Sequence, residues 1–424
     1  MRIQLQINSL GPIRDATIDL GQMMLFTGMS NLGKSYTNFL CYYVFRVFAN
    51  NRLHRFLEPK MSGHLAEDAD FSVSFTMGDL RRWLHDDVTD FFIKLFNTDV
   101  ANCDITFLFP GYDDSNRFVF SVKDVPEQRL SERIKVYQIS YKDIKNYAIF
   151  LGEYTDSNIS SRIAQILREE FFERRVSRAF LMPPGRSVLI GNTYSVQSAA
   201  TSMGLYDIFL RDFDFIRHYT NEQEPQDKQF FNSRIQKLVR GQLLQDKDGV
   251  RIVMPNGTPL PLSAAASSIR ELSPILFWLQ SQDIRTHSMC IEEPEAHAHP
   301  EMQADIADLL AACIAKGAML QVTTHSDYLL HRFNQLIRLY QIRRKNVNAV
   351  SRILEKYRIS PRSLLNPDNV VAYYFHDEGD KVLVDRLNAT KGIPFRSFSE
   401  ITRSQYLLDE EIEQTLQSEH IEAE

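Results

Sequence analysis

The chain has 424 residues, 44% of them hydrophobic and 24% charged. That is an ordinary globular composition, too long for one compact core, so two or three lobes are expected. A formal charge of −6 argues against a generally basic nucleic-acid coat while leaving room for local basic faces. Four cysteines without a CxxC pair argue against a disulfide framework or a cysteine zinc site and fit a reducing cytoplasm. The opening MRIQLQINSL alternates apolar and polar residues instead of forming a signal-peptide core, and no run of about 18 apolar residues occurs, so secretion and membrane spanning are not expected.

Ile3, Leu5 and Ile7 alternate with polar residues as in a strand, Gly11-Pro12 marks a turn, and Ala16 to Leu20 is a second short strand. Met23 to Thr27 is continuously apolar, as in a strand buried on both faces, and Tyr36 to Ala49 is a helix apolar nearly all round. Residues 71–140 are expected to be β-rich. Phe71 to Phe75 alternates strictly, Ile105 to Phe109 and Phe118 to Val122 flank the polar Asp113–Asn116 as a hairpin, and Ile134 to Ile139 is a further strand. A charged amphipathic helix over 158–178 precedes a strand at Phe180 to Met182. Residues 205–240 are helical around a polar linker at Asn221 to Gln229. The turns Asp248-Gly249 and Asn256-Gly257 mark short strands up to Leu262. A helix begins near Ser267 and is shortened or kinked by Pro274. It is followed by a strand at Met289 to Ile291, a helix at Met302 to Ala315 and a strand at Ala318 to Thr323. The acidic tail from Asp409 is expected to be a solvated helix or a frayed end.

Gly28-Met29-Ser30-Asn31-Leu32-Gly33-Lys34-Ser35 matches GxxxxGK[ST] between a buried strand and a helix. Gly28, Asn31 and Gly33 fall in the turn where backbone N–H groups curl around phosphate oxygens. Lys34 is placed to reach the β- and γ-phosphates, and the Ser35 hydroxyl to ligate Mg²⁺. Far downstream, an apolar strand ends in Glu292-Glu293-Pro294-Glu295. A P-loop site needs one carboxylate at a neighbouring strand end for Mg²⁺, assigned to Glu292, and gains from a second as general base for water, assigned to Glu293. The plain alternative is a strand end meeting a solvated acidic turn, and a third reading is a metal site of Glu292, Glu295, His297 and His299. The next strand ends in Thr323-Thr324-His325, where His325 is placed to sense or orient a γ-phosphate.

Strand, P-loop, long insertion, EEPEAHAHP and TTHS together resemble the ATPase head of the ABC superfamily in its SMC/RecF branch. They resemble more closely the stand-alone AAA-type ABC ATPases of bacteria, including ATPase subunits of the anti-phage systems PARIS and Septu. The resemblance covers most of the chain and is loosest over 50–180. It implies an α/β P-loop head with a β-rich lobe, a helical insertion lobe and no long coiled coil. The head would be discontinuous, at 1–50 and 263–400. It would carry a β-rich insertion at 51–185, a helical insertion plus hairpin at 186–262, and the acidic tail at 401–424. It further implies ATP and Mg²⁺ as ligands and a head-to-head dimer. In that dimer Ser267 would touch the γ-phosphate of the opposite subunit, and Pro294 to Pro300 would lie at the interface. Ser268 stands where the related signature has glycine, and an ordinary serine N-cap is the alternative for Ser267. Gln138 is a weak candidate for the family's Q-loop glutamine. Arg186 matches a strand-end Pro/Arg motif, with a phosphate-facing, interface or plain surface role left open.

Between Arg332 and Arg362 nine basic residues, Arg338, Arg343, Arg344, Lys345 and Arg352 among them, face one carboxylate, Glu355. Such a stretch suits DNA, an acidic protein partner or a solvated helix face. The acidic tail is itself a candidate to cover it. Three functions follow: an ATPase that switches a separate effector such as a nuclease, a RecF-like ATPase that binds duplex DNA, or a nucleotide-gated scaffold with little turnover.

Overall fold

The computed structural model describes residues 3–49, 52–61, 70–98, 103–125, 134–142, 144–151, 155–172, 176–190, 204–220, 223–246, 249–394 and 396–418. The first third contains β1 (Gln4–Leu10), β2 (Ile13–Asp19), β3 (Met23–Gly28), α1 (Lys34–Ala49), α2 (His54–Met61), β4 (Phe71–Thr76), α3 (Met77–Phe96), β5 (Cys103–Leu108), β6 (Arg117–Asp124) and β7 (Ile134–Tyr141). The middle adds β8 (Ile144–Leu151), α4 (Thr155–Phe171), β9 (Arg178–Met182), α5 (Ser187–Ile190), α6 (Leu205–His218), α7 (Pro225–Val239), β10 (Gln242–Asp246), β11 (Gly249–Val253) and β12 (Pro259–Pro261). The last part holds α8 (Ser267–Ser281), β13 (His287–Glu292), α9 (Pro300–Lys316), β14 (Met319–Thr323), α10 (Asp327–Lys345), α11 (Val347–Lys356), β15 (Val370–Glu378), β16 (Lys381–Leu387) and α12 (Arg396–Ser418).

A nine-stranded sheet runs β5-β1-β2-β16-β15-β3-β14-β13-β9. Its β15-β3-β14-β13-β9 half is parallel throughout. Strands β3, β13 and β14 are buried at every position, as a parallel strand covered on both faces must be. Alternate residues of β3 feed two cores: Met24 and Phe26 face one with α1, α3 and α4, while Met23 and Leu25 face the other with α6 to α11. Helix α1 packs across β9, β13 and β14. That crossing carries its first turns from the end of β3 towards the end of β13.

The β-rich expectation for 71–140 fails over Met77–Phe96, which is a 20-residue helix. Thr76 and Asp79 form a reciprocal capping box there, and Leu80, Leu84, Val88, Phe91 and Leu95 recur at helical spacing as its buried stripe. The expected hairpin at Asp113–Asn116 is also corrected. Strand β5 pairs with β1 in the large sheet, whereas β6 pairs with β4 and β7 in a four-stranded sheet β4-β6-β7-β8. Alternation shows that a segment is a strand and which face it buries; it leaves the partner strand open. Helix α8 continues through Pro274 to Ser281. The carbonyl of Arg270, which loses its helical N–H partner to the proline, accepts the Ser273 hydroxyl at 2.9 Å. The turn residue Asp248, part of the Asn221–Gln229 linker and the tail beyond Ser418 lie outside the described residues. Among the described residues the longest helix, α12, has 23 residues, and no helix is long and apolar enough to cross a membrane.

Removing the Thr76 hydroxyl deletes one half of the α3 cap. Thr76→Ala is expected to cost about 1 kcal/mol, read as roughly fivefold faster amide exchange over the first turn of α3.

Candidate functional site

The chain leaves β3 at Gly28, whose φ is +129°; a Cβ there would lie 2.3 Å from the Phe375 carbonyl oxygen on β15. Gly33 has φ +85° and sits against Ile13, and Asn31 takes the left-handed conformation at φ 64°. This path brings Lys34 to the first position of α1, with its ammonium donating back to the carbonyls of Gly28 at 3.1 Å and Met29 at 2.5 Å. Lys34 is buried, and burial lowers its pKa to about 8 against the opposing pull of Glu292 and Glu293.

Glu292 ends β13, and its carboxylate is buried. One oxygen accepts the Ser35 hydroxyl and the other the Asn38 amide, each at 2.5 Å. Burial raises its pKa, and the Ser35 and Asn38 hydrogen bonds work against that rise. The expectation that this carboxylate lies on the strand next to the P-loop strand is corrected: β14 runs between β3 and β13. Ser35 and Asn38 reach Glu292 because α1 crosses β14, and they lie one turn apart on its underside. Asn38 was not foreseen, although it is a polar residue inside an otherwise apolar helical run.

Glu293 has φ 44°, a left-handed conformation that costs a side-chain-bearing residue about 1 kcal/mol or more. Its amide bonds the Thr323 carbonyl at 3.2 Å, so the chain turns out of the sheet there. The Glu293 carboxylate is thereby half-exposed, with one oxygen 3.9 Å from His325 Nε2. His325 is held from below: Glu295 is buried, and its Oε1 accepts the Thr324 hydroxyl at 2.5 Å and the His325 amide at 3.0 Å. Burial, then the Lys34 charge, lowers the His325 pKa against the pull of Glu293 and favours a neutral imidazole. The strand ends thus gather Lys34, Ser35, Glu292, Glu293 and His325 at the C-terminal edge of the parallel half, where open α/β sheets bind ligands.

Arg186 is not a surface residue; it is fully buried. Its guanidinium donates to the carbonyls of Glu292 at 2.9 Å, Pro183 at 2.8 Å and Glu271 at 2.7 Å, and it pairs with the buried Glu271 carboxylate at 3.3 Å. Glu271 also accepts the Ser187 amide at 2.9 Å. One arginine therefore joins the end of β13, the loop after β9 and helix α8. Burial lowers its pKa, and the charge of Glu271 offsets part of that.

Ser267 opens α8 at its first helical position and is exposed; Ala266 is the N-cap and supplies no side-chain cap, so the serine N-cap reading is overturned. The Ser267 hydroxyl accepts from Arg270 at 3.3 Å. Gln138 lies on β7 of the four-stranded sheet and is not among the strand ends that carry the site. Among the described residues no three His, Cys, Asp or Glu side chains are grouped to hold a metal, which argues against the Glu292, Glu295, His297 and His299 site. Arg338, Arg343, Arg344, Lys345 and Arg352 are exposed on α10 and α11, apart from the P-loop. The two ends of the basic stretch are paired, Arg332 with Asp308 at 2.7 Å and Arg362 with Asp227 at 3.2 Å.

A family model described as "AAA domain, putative AbiEii toxin, Type IV TA system" matches residues 86–331. No curated protein matches the chain. Among solved structures, an SMC head bound to the C-terminal winged-helix domain of ScpA is 11% identical, with 92% of this chain and 97% of that one covered and a TM-score of 0.38. The SMC head domain from Thermotoga maritima is 11% identical, over 91% and 99%, at 0.34. A Smc head domain with an extended coiled coil, bound to the C-terminal domain of ScpA derived from Pyrococcus furiosus, is 11% identical, over 96% and 98%, at 0.33.

Breaking one side of a buried ion pair strands the other charge. Arg186→Met is expected to destabilise the protein by about 3–5 kcal/mol, whereas Arg186→Met with Glu271→Met costs clearly less. Urea unfolding of the two single variants and the double variant measures the difference.

Proposed function

From the premise that the chain belongs to this AAA domain family, and is an AAA-type ATPase of the P-loop kind, we propose that it binds and hydrolyses ATP with Mg²⁺. The reading rests on the convergence at one sheet edge of a P-loop lysine, a hydroxyl–carboxylate pair and a second carboxylate beside a histidine. The amides of residues 28–33 and the positive end of α1 face the phosphates, and Lys34 moves from its own loop carbonyls to the β- and γ-oxygens. Ser35 and Glu292 offer the hard oxygen donors that Mg²⁺ prefers, and Glu292 is a buried carboxylate that a cation would neutralise. The ion supplies charge neutralisation at the phosphate oxygens. Glu293, turned out of the sheet, takes the proton of the attacking water, and neutral His325 donates a hydrogen bond towards the γ-phosphate. Asn38 holds Glu292 in place, and Glu295 holds the His325 backbone.

The wider reading is a head-to-head dimer in which Ser267, at the exposed start of α8, meets the γ-phosphate of the opposite subunit. The Arg186–Glu271 link supports it, since it ties the position of α8 to the carboxylate strand. Nucleotide state would then control a separate effector, a nuclease or toxin, in anti-phage defence; that last step rests on the resemblance alone.

Glu293→Gln is expected to keep ATP bound, lower turnover by about 10²–10⁴-fold and accumulate a closed dimer in light scattering. Wild-type turnover in that variant would remove Glu293 as the base. With Lys34 titrating at about 8 in the free protein, ATP affinity should be flat below that pH and fall above it, as the ammonium is lost. The fall should approach tenfold per pH unit and disappear in Lys34→Arg, checked by calorimetric titration from pH 7 to 9.5.

A further inference from the structure

Helix α12 leaves the body just after Ile393, which is bonded in both directions to Asn334 of α10 at 2.7 and 2.8 Å. From Thr402 to Thr415 every residue of it is exposed. Most of a helix's stability in a protein comes from packing an apolar face against another element. Leu408 and Ile412 lie one turn apart on the same face and are 56% and 48% exposed. Asp409 and Glu411 flank that face on either side, Glu413 lies further round and Glu410 on the far side of the helix, and no basic residue lies between Tyr406 and Ser418.

The opposite pattern sits at the α10–α11 junction. Arg338, Ile342 and Lys345 share one face of α10, with Arg343 and Arg344 beside them. Val347 opens α11, followed by Arg352. Ile342 is 37% and Val347 59% exposed in the midst of these cations. Glu355 is the only carboxylate between Arg338 and Arg358.

We propose that the acidic, apolar face of α12 docks on the basic, apolar α10–α11 surface of a second copy of this chain. The match is double: Leu408 and Ile412 meet Ile342 and Val347, and the flanking carboxylates meet Arg338, Arg343, Arg344 and Lys345. A second copy is favoured over a nucleic acid because a phosphate backbone offers nothing to Ile342 and Val347. The contact is separate from the nucleotide-dependent head dimer, since it uses neither the P-loop edge nor Ser267. Repeated from copy to copy, it joins chains head to tail and closes as a ring or a reciprocal pair.

The test is the molar mass of the full chain by light scattering, without nucleotide, at low salt. Wild type is expected at twice the monomer mass or more, and to fall to monomer in 1 M salt. A triple reversal at the end of α10, Arg343→Glu, Arg344→Glu and Lys345→Glu, is expected to be monomeric. So is the reversal Asp409→Lys, Glu410→Lys, Glu411→Lys and Glu413→Lys on α12. Combining all seven substitutions in one chain is expected to restore the assembly, which also shows that each reversed surface folds. A monomeric wild type, an undiminished mass in either reversal, or failure of the combined variant to reassemble would overturn the proposal. A wild type that stays monomeric and retards duplex DNA through this surface would overturn it in favour of nucleic acid. ATP-dependent dimers of the heads would persist in every reversed variant, so failure here leaves the nucleotide reading untouched.

Discussion

A carboxylate shut away from water at the end of a sheet strand is costly unless donors surround it. Glu292 is in that position, and the site is arranged around meeting its requirements. Ser35 and Asn38 satisfy its oxygens, Arg186 takes its backbone carbonyl, and each of these groups comes from a different stretch of the chain or is carried there by a long element. The demand fixes how α1 must lie: only a helix that crosses β14 can set Ser35 against β13 while Lys34 remains at the mouth of β3. It also accounts for the strained turn at Glu293, because the residue after a buried carboxylate has to leave the sheet quickly if its own charge is to reach water.

The same carboxylate strand takes part in both layers of the fold. The cores above and below the sheet share β3, β9, β13, β14 and β15, whose alternate residues point into one or the other. Arg186 reaches from the loop after β9 to both Glu292 and Glu271, so a shift of α8 is felt as a shift of a hydrogen bond on the end of β13. Proteins retain buried ion pairs at some expense in stability. Here the pair joins helix α8 to the loop after β9 directly beneath the end of β13.

What was legible in the sequence follows from how local each signal is. The P-loop, the paired glutamates and the strand ending in His325 are short motifs with their chemistry written in adjacent residues, and the structure brings them to one edge. Apolar runs located β3, β13 and β14, because a doubly covered strand leaves no other pattern. Helix α3 was equally local, with its Thr76–Asp79 cap and heptad-like apolar spacing, yet the alternation just before it at Phe71–Phe75 drew the reading towards strand. The pairing of β5 with β1, the insertion of β14 between β3 and β13, and the burial of Arg186 depend on contacts far apart in the chain. No window of residues carries that information. An arginine after Pro-Pro-Gly looks the same on a surface as in a core until its partner, Glu271, is known to lie opposite.

Gly28 has one further consequence. It packs against Phe375, and β3 has as its neighbours β14 at 319–323 and β15 at 370–378. During synthesis the P-loop strand therefore emerges hundreds of residues before either strand that flanks it. Until those arrive, residues 28–35 have a sequence but no floor beneath them, and loop closure of that length is slow. The loop gains its floor only once β14 and β15 have been made and lie beside β3, so one of the first stretches of this sequence to be made is among the last to be completed in the fold.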